Sequence, residues 1–379
     1  MRNGTRRLTA VTAASFLALS LAACGSDDAV SGSTGTTGGS DNETTDTETT
    51  EATASLKGSI AGAGASSQES AMKAWIAEFQ GKNTEATVAY DPVGSGAGIE
   101  QFIGEKVLWA GSDAALEGDE VASAEKRCGA PALNLPMYIS PVAVIFNLEG
   151  VENLNMKADT IAKVFAGEIT KWNDPAIAED NPDVELPDLA ITPVHRADKS
   201  GTTENFTDYL HEAAPDAWPH EADKSWPISG GESGDKTAGL VDVVNRAQGA
   251  IGYADASQAG SLGTIALETA DGFVKFSAET AAKAVDNAKP AEGATDTNMP
   301  LVLERKPDSA EAYPLVLVAY EIVCSSYPDA ESGELVKGFL NFVASEEGQN
   351  VAANAAGSAP LSAEMAEKVK AAIDSIKVG

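Results

Sequence analysis

The chain has 379 residues, 43% hydrophobic and 22% charged, which is enough apolar material for one large or two medium cores. Acidic residues outnumber basic ones 57 to 26, for a formal charge of -31, and this argues against a general nucleic-acid binder, because phosphate backbones attract Lys/Arg surfaces. His195, His211, His220 and the three cysteines form neither H-E-x-x-H nor Cys-x-x-Cys, so no zinc site of the common kind and no other cofactor is expected.

Arg2, Arg6 and Arg7 precede an apolar stretch from Leu8 to Ala23 that ends in Leu21-Ala22-Ala23-Cys24. A basic start, a short apolar run and small residues before a cut site describe a secretory signal over residues 1–23. The run is too short and too rich in Thr and Ser for a spanning helix. Leu-Ala-Ala-Cys is similar to the bacterial lipoprotein box, which makes Cys24 the lipidated first residue of the mature chain and anchors it to the membrane. Residues 24–55 are then Ser, Thr, Gly, Asp and Glu with almost nothing apolar, and read as a disordered tether. Export leaves Cys128 and Cys324 as an even pair in an oxidising compartment, where a disulfide is the expected state and two buried thiols the alternative. Closing so long a loop would contribute about 4–5 kcal/mol in the chain-entropy model.

After the tether, strand-like runs at Ala86–Tyr90, Val142–Asn147, Ala190–His195, Ala250–Tyr253 and Leu315–Val323 alternate with segments of helical spacing, an α/β pattern. One junction recurs three times. Ile60-Ala61-Gly62-Ala63-Gly64-Ala65-Ser66-Ser67 leads into a helix with Met72, Trp75, Ile76 and Phe79 on one face. Val93-Gly94-Ser95-Gly96-Ala97-Gly98 leads into Ile99, Phe102, Ile103 and Val107, and Arg196-Ala197-Asp198-Lys199-Ser200-Gly201-Thr202-Thr203 into Phe206, Tyr209 and Leu210. Small residues before a helix start expose N–H groups at the positive end of the helix dipole, and Ser and Thr add hydroxyl donors, which together suit an anion. A single such loop is more often a plain N-cap. Three of them, one holding an Arg, form a pattern. Their glycine spacing fits neither G-x-G-x-x-G nor the P-loop, so nucleotide binding is not expected. In Trp109-Ala110-Gly111-Ser112-Asp113-Ala114, Asp113 reads most simply as a turn residue; facing the same cavity, its carboxylate would accept a hydrogen bond from a protonated anion.

These loops, with Ile169-Thr170-Lys171-Trp172-Asn173-Asp174-Pro175-Ala176-Ile177 and Gly249-Ala250-Ile251-Gly252-Tyr253, resemble in sequence and order the phosphate-binding proteins of bacterial high-affinity phosphate ABC transporters. The Arg-Ala-Asp-x-Ser-Gly-Thr string is the most specific piece, and the likeness covers nearly everything after the tether. It implies a two-lobed periplasmic-binding-protein-like fold with two crossing hinge strands, lobe one at 56–135 plus 315–379 and lobe two at 136–314. Carried over residue by residue, Ser66, Ser67, Ser95, Asp113, Arg196, Ser200, Gly201 and Thr202 would bind inorganic phosphate in the cleft, and Asp198 would pair with Arg196 behind them. Relatives often carry Thr followed by an aromatic where Ser66 and Ser67 stand, so Ser67 is a departure. Lys199 stands where Gly is frequent and is expected to point outward. The resemblance further implies a monomeric extracytoplasmic receptor rather than an enzyme, with the transmembrane subunits of an ABC permease and their cytoplasmic ATPase as partners.

Three rival readings remain. Ser70-Ala71-Met72-Lys73 fits the S-x-x-K of serine hydrolases, but no Ser-Asp-Asn, Lys-Thr-Gly or Gly-x-Ser-x-Gly accompanies it. A binding protein for another oxyanion, such as sulfate or molybdate, would meet an unfavourable Asp113. A surface adhesin or sensory ectodomain could use the same fold.

Overall fold

The structure, a computed structural model, describes residues 56–379 apart from residue 310. The leader, Cys24 and the whole of the tether therefore lie outside the described residues. Among the described residues no helix is long and apolar enough to cross a membrane.

The architecture is two-lobed α/β, built along one sheet path. Strand Lys57–Gly64 pairs in parallel with Glu85–Asp91 on one side and Trp109–Ser112 on the other. Beside Trp109–Ser112 runs Val316–Cys324, antiparallel to it and to Ala132–Phe146. The first part of Ala132–Phe146 pairs with Val316–Cys324, and its second part, from Val142, pairs with Ala250–Asp255. Beyond that lie Thr192–Arg196 and Glu232–Gly234, both parallel additions. The two long strands Ala132–Phe146 and Val316–Cys324 are thus the elements shared between lobes, and every residue of both is buried.

The expected strand at Val142–Asn147 is therefore only the end of a 15-residue strand. Pro136 and Pro141 obscure the rest in the sequence, because proline cannot donate to a ladder. The ladder absorbs Pro136 by a register shift opposite Ala319 and Tyr320.

On the first lobe, helix Glu69–Lys82 buries Ala71, Met72, Trp75 and Phe79, with Ile76 only half-buried. Its ring of apolar side chains meets the C-terminal helices: Trp75 Nε1 donates to Gly348 O at 2.6 Å, and Phe79 packs edge-on to Phe339 at 5.3 Å. Helix Ser95–Ile103 is shorter than its apolar spacing suggests. Gly104 caps it and Glu105 turns left-handed (φ 58°), so Val107 is buried from the connection that follows and not from the helix. Around the third junction, Phe206 and Tyr253 stack with centroids 4.3 Å apart and Phe165 packs edge-on to Phe206. Burying each such ring contributes on the order of 1.5–3 kcal/mol, so this cluster is a stiff support for the junction.

Cys128, at the end of helix Asp119–Cys128, is disulfide-bonded to Cys324, with the Cα atoms 5.4 Å apart.

Candidate functional site

The parallel strands of both lobes end toward one crevice. Gly64, Asp91 and Ser112 end strands on one side of it, Arg196 and Gly234 on the other. Open α/β sheets bind ligands at the carboxyl ends of their strands, because the loops there run into helix N-termini. All eight residues expected in the site are carried by these loops, and all are buried: Ser66, Ser67, Ser95, Asp113, Arg196, Ser200 and Thr202 are each 4% exposed or less, and Gly201 is enclosed with them.

Asp113 is surrounded by donors. Ser67 Oγ donates to its Oδ1 at 2.5 Å and Thr202 Oγ1 to its Oδ2 at 2.8 Å. Its own N–H donates to Ser95 Oγ at 3.2 Å. Burial pushes the carboxyl above its ordinary range, while those two hydroxyls and the charge of Arg196 pull against the rise. The hydroxyl of Ser67 thus has a partner of its own in Asp113. Gly201 makes the close approach possible: a Cβ there would fall 2.8 Å from both Asp113 Cβ and Ser95 Oγ. Ser200 is the N-cap of helix Gly201–Ala213, its Oγ accepting the Thr203 N–H at 3.2 Å, so its hydroxyl proton stays available.

Arg196 is 3% exposed and grips Asp198 with two bonds, Nε to Oδ1 at 2.7 Å and Nη2 to Oδ2 at 2.6 Å. Burial alone would raise the Asp198 carboxyl, but the Arg196 bonds and charge and the Lys236 N–H hold it below the usual range. Gly94, with φ 96°, admits this pair, since a Cβ there would lie 2.4 Å from Asp198 Oδ2. The guanidinium's remaining N–H groups point the other way, Nη2 to Ser66 Oγ at 3.2 Å and Nη1 to Thr237 Oγ1 at 3.3 Å. Ser66 Oγ lies 2.9 Å from Thr237 Oγ1 and also accepts the Thr237 N–H at 3.1 Å. Lys199 does point outward, pairing with Glu100 at 3.0 Å.

Thr237 is one residue that sequence reasoning missed. Its signal was present: Gly230-Gly231-Glu232-Ser233-Gly234 is a fourth small-residue loop that runs into a helix, Lys236–Arg246. Tyr253 also belongs here, since its hydroxyl accepts the Arg196 N–H at 3.2 Å and lies 2.8 Å from Thr203 Oγ1. Chemically, the cluster sets one buried cation and a set of neutral donors against one acceptor carboxylate, which matches a protonated oxyanion. Among the described residues no group of three or more His, Cys, Asp or Glu could hold a metal ion. A groove of about 1170 Å³ adjoins the cluster at Asp113, but Glu117, Glu125 and Glu292 in its walls make it unsuited to an anion. In the S-x-x-K segment, the Lys73 ammonium turns to Glu69 at 2.5 Å.

Residues 49–347 match the sequence model of the PBP superfamily domain. The phosphate-binding protein PstS 3 of Mycobacterium tuberculosis is 36% identical over 327 residues, covering 85% of this chain and 86% of that protein. Among solved structures, a high-affinity periplasmic phosphate-binding protein (PfluDING) with bound phosphate aligns with a TM-score of 0.68 at 20% identity, over 83% of this chain and 93% of that one. A phosphate-binding protein from Stenotrophomonas maltophilia aligns with a TM-score of 0.63 at 18% identity, over the same shares of the two chains.

Proposed function

Because the chain belongs to the PBP superfamily and, within it, to the PstS phosphate-binding proteins, we propose that it is an extracytoplasmic receptor that takes inorganic phosphate between its lobes and delivers it to an ABC permease. The observation that carries this reading is the burial of Arg196 and Asp113 in one cluster of hydroxyl and N–H donors. Phosphate at neutral pH is strongly hydrated, so burial must replace its water shell with donors. Ser66, Ser67, Ser95, Ser200, Gly201 and Thr202 would supply them as hydroxyls and backbone N–H groups, and Arg196 the formal charge. Asp198 offsets that charge from behind and keeps the guanidinium plane aimed at the anion. Asp113 would accept the proton that phosphate carries and sulfate lacks. Distant acidic residues count for little, because screening acts over about 8 Å at physiological salt.

The proposed lobes are residues 56–135 with 315–379, and 136–314, so that closure around phosphate gives the permease a shape to recognise. The Leu-Ala-Ala-Cys box supports a lipid anchor at Cys24, and the receptor is proposed to act as a monomer. The pairing of Lys73 with Glu69 supports binding rather than hydrolysis, because Ser70 is left without an activating amine.

Calorimetric titration of the mature protein with phosphate, arsenate and sulfate tests the reading. Tight one-site binding of phosphate, with sulfate far weaker, is the expected result. Absence of phosphate binding, or tighter binding of sulfate, would overturn it.

A further inference from the structure

Asp113 is held from across the cleft at two points. Its carboxylate takes the Thr202 hydroxyl, and its main-chain carbonyl takes Asn205 Nδ2 at 2.8 Å. Thr202 and Asn205 lie three apart on helix Gly201–Ala213 and so share a face. The other N–H of the same amide donates to Gly201 O at 2.9 Å. One side-chain amide therefore ties together the backbones of Asp113 and Gly201.

The amide cannot turn over. Asn205 Oδ1 accepts Arg305 Nη2 at 2.7 Å, and a flip would set donors against donors. Arg305 is buried and fixed on its other sides, with Nη1 on Val316 O at 2.8 Å and Nε on Asp208 Oδ2 at 2.7 Å. Val316 begins the second crossing strand, so a continuous run of hydrogen bonds leads from that strand through Arg305 and Asn205 to Asp113.

We infer that Asn205, oriented by Arg305, is a positioning residue of the anion site: it clamps the Asp113 carbonyl across the closed cleft, which fixes the direction of the acceptor carboxylate and sets how long the anion is retained. The inference rests on the phosphate-receptor reading above. Of the other contacts between the walls, Lys199–Glu100 and Lys224–Glu120 are ion pairs with exposed or half-exposed members, where water and salt compete, and the buried bonds of Ser66 to Arg196 and Thr237 do not involve Asp113. The amide-to-carbonyl bond is buried, and breaking it leaves a carbonyl unpaired. Because the bond joins the two walls, it forms after the anion has entered, and its loss acts on departure rather than on entry.

The test is stopped-flow and calorimetric measurement of phosphate binding by the parent, Asn205→Asp and Asn205→Ala. The Asp variant keeps an acceptor for Arg305 and loses both donations; the Ala variant loses all three contacts. The clamp predicts that both release phosphate about 10–100-fold faster, with association rates within about twofold of the parent. If Asn205 serves only to satisfy Arg305, the Asp variant keeps the parental off-rate, and the clamp is wrong. Should the Ala variant fail to fold, as judged by its melting curve without phosphate, the Asp variant decides alone. A parent that does not bind phosphate overturns the receptor reading and the clamp together; a parent that binds, with unchanged variants, overturns the clamp only.

Discussion

Two buried carboxylates, one on a strand and one just past the end of its neighbour, meet different fates. Asp113 directly follows Trp109–Ser112, and Glu321 lies opposite Gly111 on the crossing strand Val316–Cys324. Asp113 has two hydroxyl donors on its oxygens and a guanidinium nearby. Glu321 is fully buried and neither of its oxygens has a hydrogen-bond partner. Burial pushes the Glu321 carboxyl up to about 8; the Gln68 amide and Trp109 indole are near enough to moderate the rise, yet neither reaches it in hydrogen-bonding geometry. At neutral pH Glu321 is thus a neutral acid, in a place where a second negative charge would oppose an anion. A buried carboxylate serves as an acceptor only where the fold supplies donors and a cation; elsewhere it takes a proton.

The largest expected effect comes from removing that cation. Arg196→Ala would strand Asp198 and make Asp113 behave more like Glu321, and phosphate affinity should fall about 100–1000-fold, the scale of a broken buried pair. Calorimetry is the measurement, and parental affinity would take Arg196 out of the site. Next, Asp113→Asn keeps the shape but adds an N–H donor. The phosphate-to-sulfate affinity ratio should drop by at least about tenfold in paired titrations at one pH, mostly because sulfate gains. An unchanged ratio would place discrimination elsewhere, for example in Gly230–Gly234.

The smallest effect, and the one that separates the two carboxylates, belongs to Glu321→Gln. Glu321 titrates near 8 when folded and near 4.3 in an unfolded chain, so between those values the native state holds the extra proton. Its contribution to stability is full below about pH 4 and is lost as pH rises through 8. Gln cannot lose that proton, so the variant's melting temperature should exceed the parent's by a few degrees at pH 8–9, with the gap closing toward pH 4. Phosphate affinity at pH 7 should stay within about twofold. A large loss of affinity with no change in melting would make Glu321 part of the binding apparatus.

The sequence was most readable where chemistry is local. Ser95, Ser200 and Thr202 sit at the starts of helices, so their placement follows from capping and glycine patterns. Arg196 and Asp198 are two residues apart and found each other as expected. What stayed hidden depends on partners far along the chain. Nothing in Thr203-Glu204-Asn205-Phe206 marks Asn205, whose orienting Arg305 lies 100 residues on. Thr237 escaped notice because its loop ends in Asp235 and Lys236, and Lys236 adopts a left-handed φ of 60° that is unusual for a lysine. The first half of strand Ala132–Phe146 was masked by two prolines that a bulged ladder tolerates.

The position of Val316–Cys324 governs the order in which this molecule can be assembled. It lies between Trp109–Ser112 and Ala132–Phe146, at the middle of the sheet, yet it comes some 170 residues after the second of them. A chain that emerges amino end first holds Lys57–Gly64, Glu85–Asp91 and Trp109–Ser112 with the inner edge of that sheet unpaired. All the strands from Thr192 to Asp255 must be produced before the missing one arrives. Those later strands pair among themselves and with the far half of Ala132–Phe146, so they can settle early. The unpaired edge is the segment most in need of protection during folding, because exposed edges template wrong pairings and long-range closure is slow. Cys128 waits over the same interval, until Cys324 is delivered beside it.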